Sequence, residues 1–336
     1  MARDGAFKDW RTDVRDGLDA LLRAPETDLH HVAQDILAEN AVFYLADPLP
    51  QLVGRDAILD QWIKPLRAAF GPAHRRDILF LGGRNIRDAG GTWITALTHY
   101  VGTFDAPFCG LKPSNRLAFL RSGEFYRMEN GQITEAKIIF DLPDLMRQGG
   151  RFPLPRELGT EMMFPAPATQ DGLWPGDGVH DAATMAVVEG MLADLHVFDP
   201  QTMKSDGQTG DDGYWHEDML WYGPGGIGSN YRWSGFVNDH RRSFLTAFPD
   251  RKGGNHYCRI SDGNYAAVSG WPSMTMTHRG PYLGVPATDK ALTLRVMDFY
   301  RCAGGKIMEN WVCLDYMDLT RQMGRDLVAE ANALAP

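Results

Sequence analysis

Residues 307–315, Ile-Met-Glu-Asn-Trp-Val-Cys-Leu-Asp, read as a strand that ends on an acid. Period-2 alternation puts Trp311, Cys313 and Asp315 on one face. A carboxyl beside Trp and Cys loses water, and its pKa rises toward values useful for taking and returning a proton. The same Asp also fits as the N-cap of a helix starting at Tyr316, and the residues alone leave both roles open. His278, late in a strand-like run, could share a proton with Asp315 or polarise a carbonyl, or be a satisfied histidine of core or surface. Trp311, Tyr300, Phe299 and Trp271 could line a pocket for an aromatic compound or simply fill a core. Arg295 and Arg301 would matter if an Asp/Arg/Asp relay activated water.

The chain carries this constellation twice. Residues 107–150 laid over 281–324 at a constant offset of 174 agree at 16 of 44 positions, which is a duplication. Asp141 is the counterpart of Asp315, so a second site would use Asp141 with His99. His99 falls five positions from His278 under the ungapped offset, so their equivalence needs a gap. Lys137 replaces Trp311, and a lysine facing that pocket would hold Asp141 ionised as a poorer acid. The first copy is therefore a structural partner or a site of different specificity. His216-Glu217-Asp218 suggests a metal site, but neighbours on a strand point to opposite faces and no helical HxxxH accompanies them, so no metal ligand set is expected.

The elements that must position these residues follow a common order, helices first and strands after. Helical patterns cover 10–23 and 28–40, then 182–197 and 235–248; strands are expected at 92–104, 116–128 and 132–141, and at 255–261, 264–277, 290–302 and 306–315. Asn130-Gly131 and Gly304-Gly305 sit between strand-like runs as hairpin turns. Helices followed by antiparallel strands predict an α+β layer fold. Five prolines and several glycines make 152–178 a linker, separating a first domain at 1–151 from a second at 179–336. No GxGxxG follows a strand and no P-loop is present.

Composition narrows the function classes. The chain has 336 residues, 44% hydrophobic and 23% charged, the balance of a folded protein with two ordinary cores. A formal net charge of -9 without a basic run argues against nucleic acid and anionic membranes. The N-terminal residues scatter charge and lack the apolar core of a signal peptide or anchor, and no 18 apolar residues run together. Cys109, Cys258, Cys302 and Cys313 lack metal or redox spacing, so the expectation is a cytoplasmic protein with reduced thiols.

The second copy also carries, in order, Gly223-Pro224-Gly225-Gly226-Ile227-Gly228, Ala247-Phe248-Pro249-Asp250, Thr277-His278-Arg279-Gly280, Pro286-Ala287-Thr288-Asp289-Lys290, the 305–315 strand and Leu319-Thr320-Arg321-Gln322-Met323-Gly324. Over about 110 residues this set resembles the SnoaL-like polyketide cyclases of the nuclear transport factor 2-like superfamily, which usually have Gly where Asp289 stands. The resemblance implies two tandem cone-shaped α+β barrels, each a bent antiparallel sheet wrapped on helices around an apolar pocket. It implies ring closure by intramolecular aldol condensation, or a related lyase or isomerase reaction, on a small apolar or aromatic carbonyl compound without cofactor or metal. Asp315 would be the acid/base, with His278 in the pocket and Trp311, Tyr300, Phe299, Trp271 and Arg295 lining it. The alternatives are a water-activating hydrolase or dehydratase of the superfamily, or a non-catalytic small-molecule binding protein. Duplication would turn the superfamily's usual sheet-face pairing into an intramolecular pseudo-dimer, with pairing of two whole chains a further expectation.

Overall fold

The computed structural model describes residues 10–173, 176, 178–195, 197–199, 201–202 and 213–335. Residues 1–9 of the N-terminal segment, linker positions 174, 175 and 177, and position 196 of the expected helix 182–197 lie outside the described residues.

The first copy runs α1 (Trp10–Arg23), α2 (Leu29–Ile36), β1 (Leu37–Leu45), β2 (Leu52–Val53), α3 (Arg55–Ile58), a π-helical turn (Leu59–Ile63), α4 (Lys64–Ala69), β3 (Phe70–Arg84), β4 (Thr92–Phe104), β5 (Arg116–Glu129), β6 (Gln132–Phe140) and α5 (Leu142–Gln148). The second repeats that plan. It has α6 (Asp181–Asp194), β7 (Trp215–Tyr222), β8 (Asn230–Tyr231), α7 (Arg232–Gly235), a π-helical turn (Phe236–Arg241) and α8 (Arg242–Ala247). Then follow β9 (Cys258–Asp262), β10 (Tyr265–Thr277), β11 (Ala291–Ala303), β12 (Lys306–Leu314), α9 (Tyr316–Met323) and α10 (Leu327–Ala333).

Each copy forms a six-stranded sheet, ordered β2-β1-β6-β5-β4-β3 and β8-β7-β12-β11-β10-β9. Both are mixed rather than purely antiparallel, because β1 pairs parallel with β6 and β7 parallel with β12. The expected helix 28–40 ends at Ile36, where the chain turns directly into β1. That strand opens with Leu-Ala-Glu-Asn, which reads as a helical continuation until pairing with β6 decides otherwise. β3 was hidden by Gly-Pro and a charged run; as an edge strand it tolerates both.

Local chemistry sets the rest. α1 buries Val14, Leu18, Leu21 and Leu22 on one stripe. Asn130-Gly131 and Gly304-Gly305 all take positive φ, as the tight turns between their strands require. Asp289 and its repeat counterpart Asn115 both adopt left-handed backbone, φ 54° and 55°. A glycine is at ease in that conformation and Asp or Asn tolerates it, so the departure at Asp289 keeps the turn.

The two copies meet sheet face to sheet face. Met297, Phe299, Trp311 and Cys313 of the second belong to the same buried apolar cluster as the core of the first. Phe125 lies against Phe299 with ring centroids 5.8 Å apart, and a Cβ on Gly123 would stand 3.0 Å from Cys313 Sγ. α10 reaches back to the first copy, where Asn332 Nδ2 donates to the Gly110 carbonyl at 2.8 Å. Between α5 and α6 the described chain holds no helix or ladder strand, only an isolated bridge from Thr160 to Ser229. No described helix is long and apolar enough to cross a membrane.

Candidate functional site

Asp315 ends β12 and turns away from the interior of its own copy. It is 2% exposed, and its Oδ1 accepts from the Asp318 backbone N–H at 3.1 Å, the N-cap bond of α9. Oδ2 accepts from Arg295 Nη1 at 2.9 Å and from the backbone N–H of Asp47, in the other copy, at 3.3 Å. Burial pushes its pKa up to about 6, with Arg295 partly offsetting the loss of water. Asp141 repeats the arrangement across the duplication. It caps α5 through the Asp144 N–H, pairs with Arg121 at 3.0 Å and accepts from the Gly225 N–H of the other copy at 2.8 Å. Arg121 and Arg295 are themselves repeat partners at the offset of 174. The two aspartates thus form reciprocal clasps, each capping its own helix and holding the opposite copy.

His278 does not join Asp315. Its ring is shut off from solvent close beneath the surface, with Nδ1 on Thr288 Oγ1 at 3.0 Å, Nε2 unpartnered, and burial lowering its pKa. His99 is buried against Phe119 and Phe164, its two ring nitrogens unpartnered. Burial first, then Arg121 and Arg76, lower its pKa to about 3. Lys137 points at the other copy rather than into a pocket, with Nζ 3.9 Å from the Tyr257 ring centroid and paired to Glu135. Trp311 donates to the Pro165 carbonyl and stacks on Tyr222; Arg295 lies over Trp271. Of the residues expected to line a pocket, Tyr300 alone does so in the principal cavity; Trp311, Phe299, Trp271 and Arg295 lie off its wall.

That cavity opens inside the second copy, about 860 Å³ of space with its mouth included. Its walls are the opposite faces of β11 and β12, Leu294, Val296, Asp298 and Tyr300 on one strand and Asn310, Val312 and Leu314 on the other. The period-2 rule therefore held on β12, but the cavity belongs to the face one residue out of step with Asp315. The helical side adds His240 and Arg241 from the π-helical turn and Phe244 from α8, while Arg251 and Gly253 come from the loop before β9.

Asp298 is the only carboxylate among the described lining residues. It retains accessible surface, and no positive charge offsets its burial, which raises its pKa from 3.8 to about 7. Its polar neighbours are the Tyr300 hydroxyl, hydrogen-bonded to it, and Asn310 Nδ2 at 3.5 Å from Oδ1. Asn310 is held by the Phe299 carbonyl at 3.1 Å. His240 stacks on Trp221 with centroids 4.5 Å apart, and its Nδ1 is buried without a partner. Burial, reinforced by Arg241 and Arg251, lowers its pKa to about 3, so it is neutral at physiological pH.

The first copy holds a carboxylate at the same repeat position, and there it is shut in. Glu124, at the repeat position of Asp298, is 0% exposed. It accepts from Arg75 at 2.8 Å, from Tyr126 at 2.7 Å and from Tyr100, while Arg75 also pairs with Asp77. Trp62 fills the interior, stacked on Phe140 at 5.3 Å. In the second copy the residues at the equivalent wall are Leu314 for Phe140 and Asn310 for Ala136. Asp298 lies mid-strand in Val296-Met297-Asp298-Phe299, without a turn or motif to mark it; its one signal in the sequence is an acid at the repeat position of Glu124. Among the described residues no three His, Cys, Asp or Glu side chains gather as a metal-holding group, and the four cysteines are free.

A family model described as SnoaL-like polyketide cyclase matches residues 12–149 and 210–323. No curated protein matches significantly. Among solved structures, IdmH of Streptomyces antibioticus, a candidate polyketide cyclase, is 20% identical, with 42% of this chain and 98% of that chain covered and a TM-score of 0.33. A candidate SnoaL-like polyketide cyclase from Jannaschia sp. CCS1 is 13% identical, covering 43% of this chain and 95% of that one, TM-score 0.33. A candidate polyketide cyclase from Acidithiobacillus ferrooxidans is 12% identical, covering 44% and 99%, TM-score 0.34.

Proposed function

The chain belongs to the SnoaL-like polyketide cyclase family, and from that premise we propose that its second copy is a cofactor-independent proton-transfer enzyme whose acid/base is Asp298. The reaction is abstraction of an acidic C–H proton α to a carbonyl of a small apolar polycarbonyl compound, leading to aldol ring closure or a related lyase or isomerase outcome. One observation carries this reading: a carboxyl on the wall of an apolar cavity with no cation beside it. A base with a pKa of about 7 is half ionised at neutral pH and can both take and return the proton. Ionised Asp298 takes the α-proton; the developing enolate oxygen needs a donor, and neutral His240 can present an N–H from the helical wall. Protonated Asp298 then delivers its proton to the alkoxide formed as the new C–C bond closes.

Hydrolytic chemistry by paired carboxylates is the weaker reading. An Asp/Arg/Asp cluster does occur, Arg121 with Asp141 and Asp144, but it clasps the two copies. Asp315 as acid/base is likewise less well supported than Asp298, since its oxygens are committed to Arg295 and two backbone N–H groups.

The test does not need the natural substrate. In D2O, exchange of the α-protons of 2-tetralone, followed by proton NMR, reads C–H abstraction directly. The wild-type protein should accelerate exchange, and Asp298→Asn should reduce that acceleration by roughly 10²–10⁴-fold. Equal exchange by both proteins would sink the assignment.

A further inference from the structure

Two arginines share the cavity wall with His240, and their charge points to what the substrate carries. Arg241 is 3% exposed, and Arg251 lines the same space from the loop after α8. Arg251 donates one N–H to the Leu195 carbonyl at 2.8 Å and lies over Phe198, while its Nε is buried without a partner. Among the described residues no carboxylate pairs with it. Burial lowers its pKa to about 10; burial and then Arg251 itself lower Arg241 to about 10, with Asp194 only partly opposing. Both remain charged at neutral pH. Arg251, desolvated on the cavity wall with its Nε unpartnered and next to a histidine that its charge helps keep neutral, is a positive charge that an incoming anion would relieve.

Asp298 sits on β11 in the sheet wall, whereas Arg241 belongs to the π-helical turn and Arg251 to the loop after α8. Apolar side chains, Phe236, Phe244, Leu294 and Val312 among them, line the same space. We propose that the cavity takes an apolar carboxylate, anchored by its charged end on Arg251 beside Arg241, with its carbonyl-bearing body directed toward Asp298. A planar carboxylate matches the guanidinium fork, whose Nε–H is the donor left over. The anchor would fix which C–H faces the base and hold the reacting chain folded, as an intramolecular condensation requires. This deepens the reading of the cavity as the working site.

Isothermal titration with 2-naphthoate and its neutral near-isostere 2-naphthamide tests the anchor. The carboxylate should bind roughly ten- to hundredfold tighter than the amide, the worth of a charge-assisted hydrogen bond in a desolvated site. Arg251→Gln should erase the preference while leaving amide affinity within about twofold, and Arg251→Lys should retain part of it. Equal affinities in the wild type, failure of both compounds to bind, or a preference untouched by Arg251→Gln would each overturn the proposal. The proton-transfer reading fails separately: if Asp298→Asn leaves tetralone exchange unchanged while naphthoate still prefers Arg251, the anchor stands and the acid/base does not.

Discussion

A buried carboxyl held up at a pKa of about 7 must destabilise the protein that holds it, and Asp298→Asn should reveal how much. In the unfolded chain the group titrates at its ordinary 3.8, in the folded protein at about 7. The folded pKa is raised, so the folded state binds the extra proton between those values. Stability associated with this group is therefore greatest below pH 4, falls as pH rises toward 7, and levels off above it. At about 1.4 kcal/mol per tenfold change, full ionisation costs on the order of 4 kcal/mol, an upper figure because the carboxyl keeps some surface toward the cavity. Integrated between the two pKa values, the cost is about 1–2 kcal/mol at pH 5 and grows by a further ~2–3 kcal/mol by pH 8. Asparagine keeps the shape and an oxygen for Tyr300 and Asn310 while removing the charge. Urea unfolding at both pH values should show the variant more stable than wild type at pH 8, with an advantage that shrinks toward pH 5. A variant equally stabilised at both, or destabilised at pH 8, would mean that Asp298 is not an uncompensated buried acid.

The clasps and the closed first copy give two further expectations. Asp315→Ala removes an N-cap and leaves Arg295 and the Asp47 N–H without their acceptor, so thermal denaturation should show a loss of about 1–3 kcal/mol while tetralone exchange per folded molecule is unchanged. A fall in exchange without a fall in stability would restore Asp315 as a catalytic candidate. Arg75→Met strands Glu124 and Asp77 in the first interior and should cost about 3–5 kcal/mol in urea unfolding; a neutral effect would mean the ion pair is dispensable.

What could be read from the residues was whatever repeats or punctuates. The duplication, the hairpin glycines and α1 follow from local rules, and each stands where those rules put it. β1 and β3 were illegible because their stability comes from pairing with distant strands rather than from their own pattern. The face of β12 shows a limit of the same kind. Alternation says that Asn310, Val312 and Leu314 share one side and Trp311, Cys313 and Asp315 the other, but not which side meets a cavity and which meets another copy. Trp and Cys pointed to desolvation correctly; the other half of the chain, not a ligand, supplies it. Lys137, at the Trp311 position, makes the same point, resting on Tyr257 of the opposite copy.

The duplication also explains why one interior can stay open. In each copy an acid sits at the same place on the central sheet, Glu124 and Asp298. The first copy neutralises its acid with Arg75 and two tyrosine hydroxyls and plugs the space with Trp62, which converts a potential site into a core. The second leaves its acid without a cation and keeps the space, at a cost in stability that its own sheet must bear. The two sheets share one apolar cluster and exchange reciprocal backbone clasps through Asp141 and Asp315. The first copy can thus brace the outer face of β11 and β12 while their inner faces carry the desolvated carboxyl. Opening the first interior by Arg75→Met should therefore weaken the second site's exchange activity as well as the first copy's fold, because the wall that positions Asp298 rests on it.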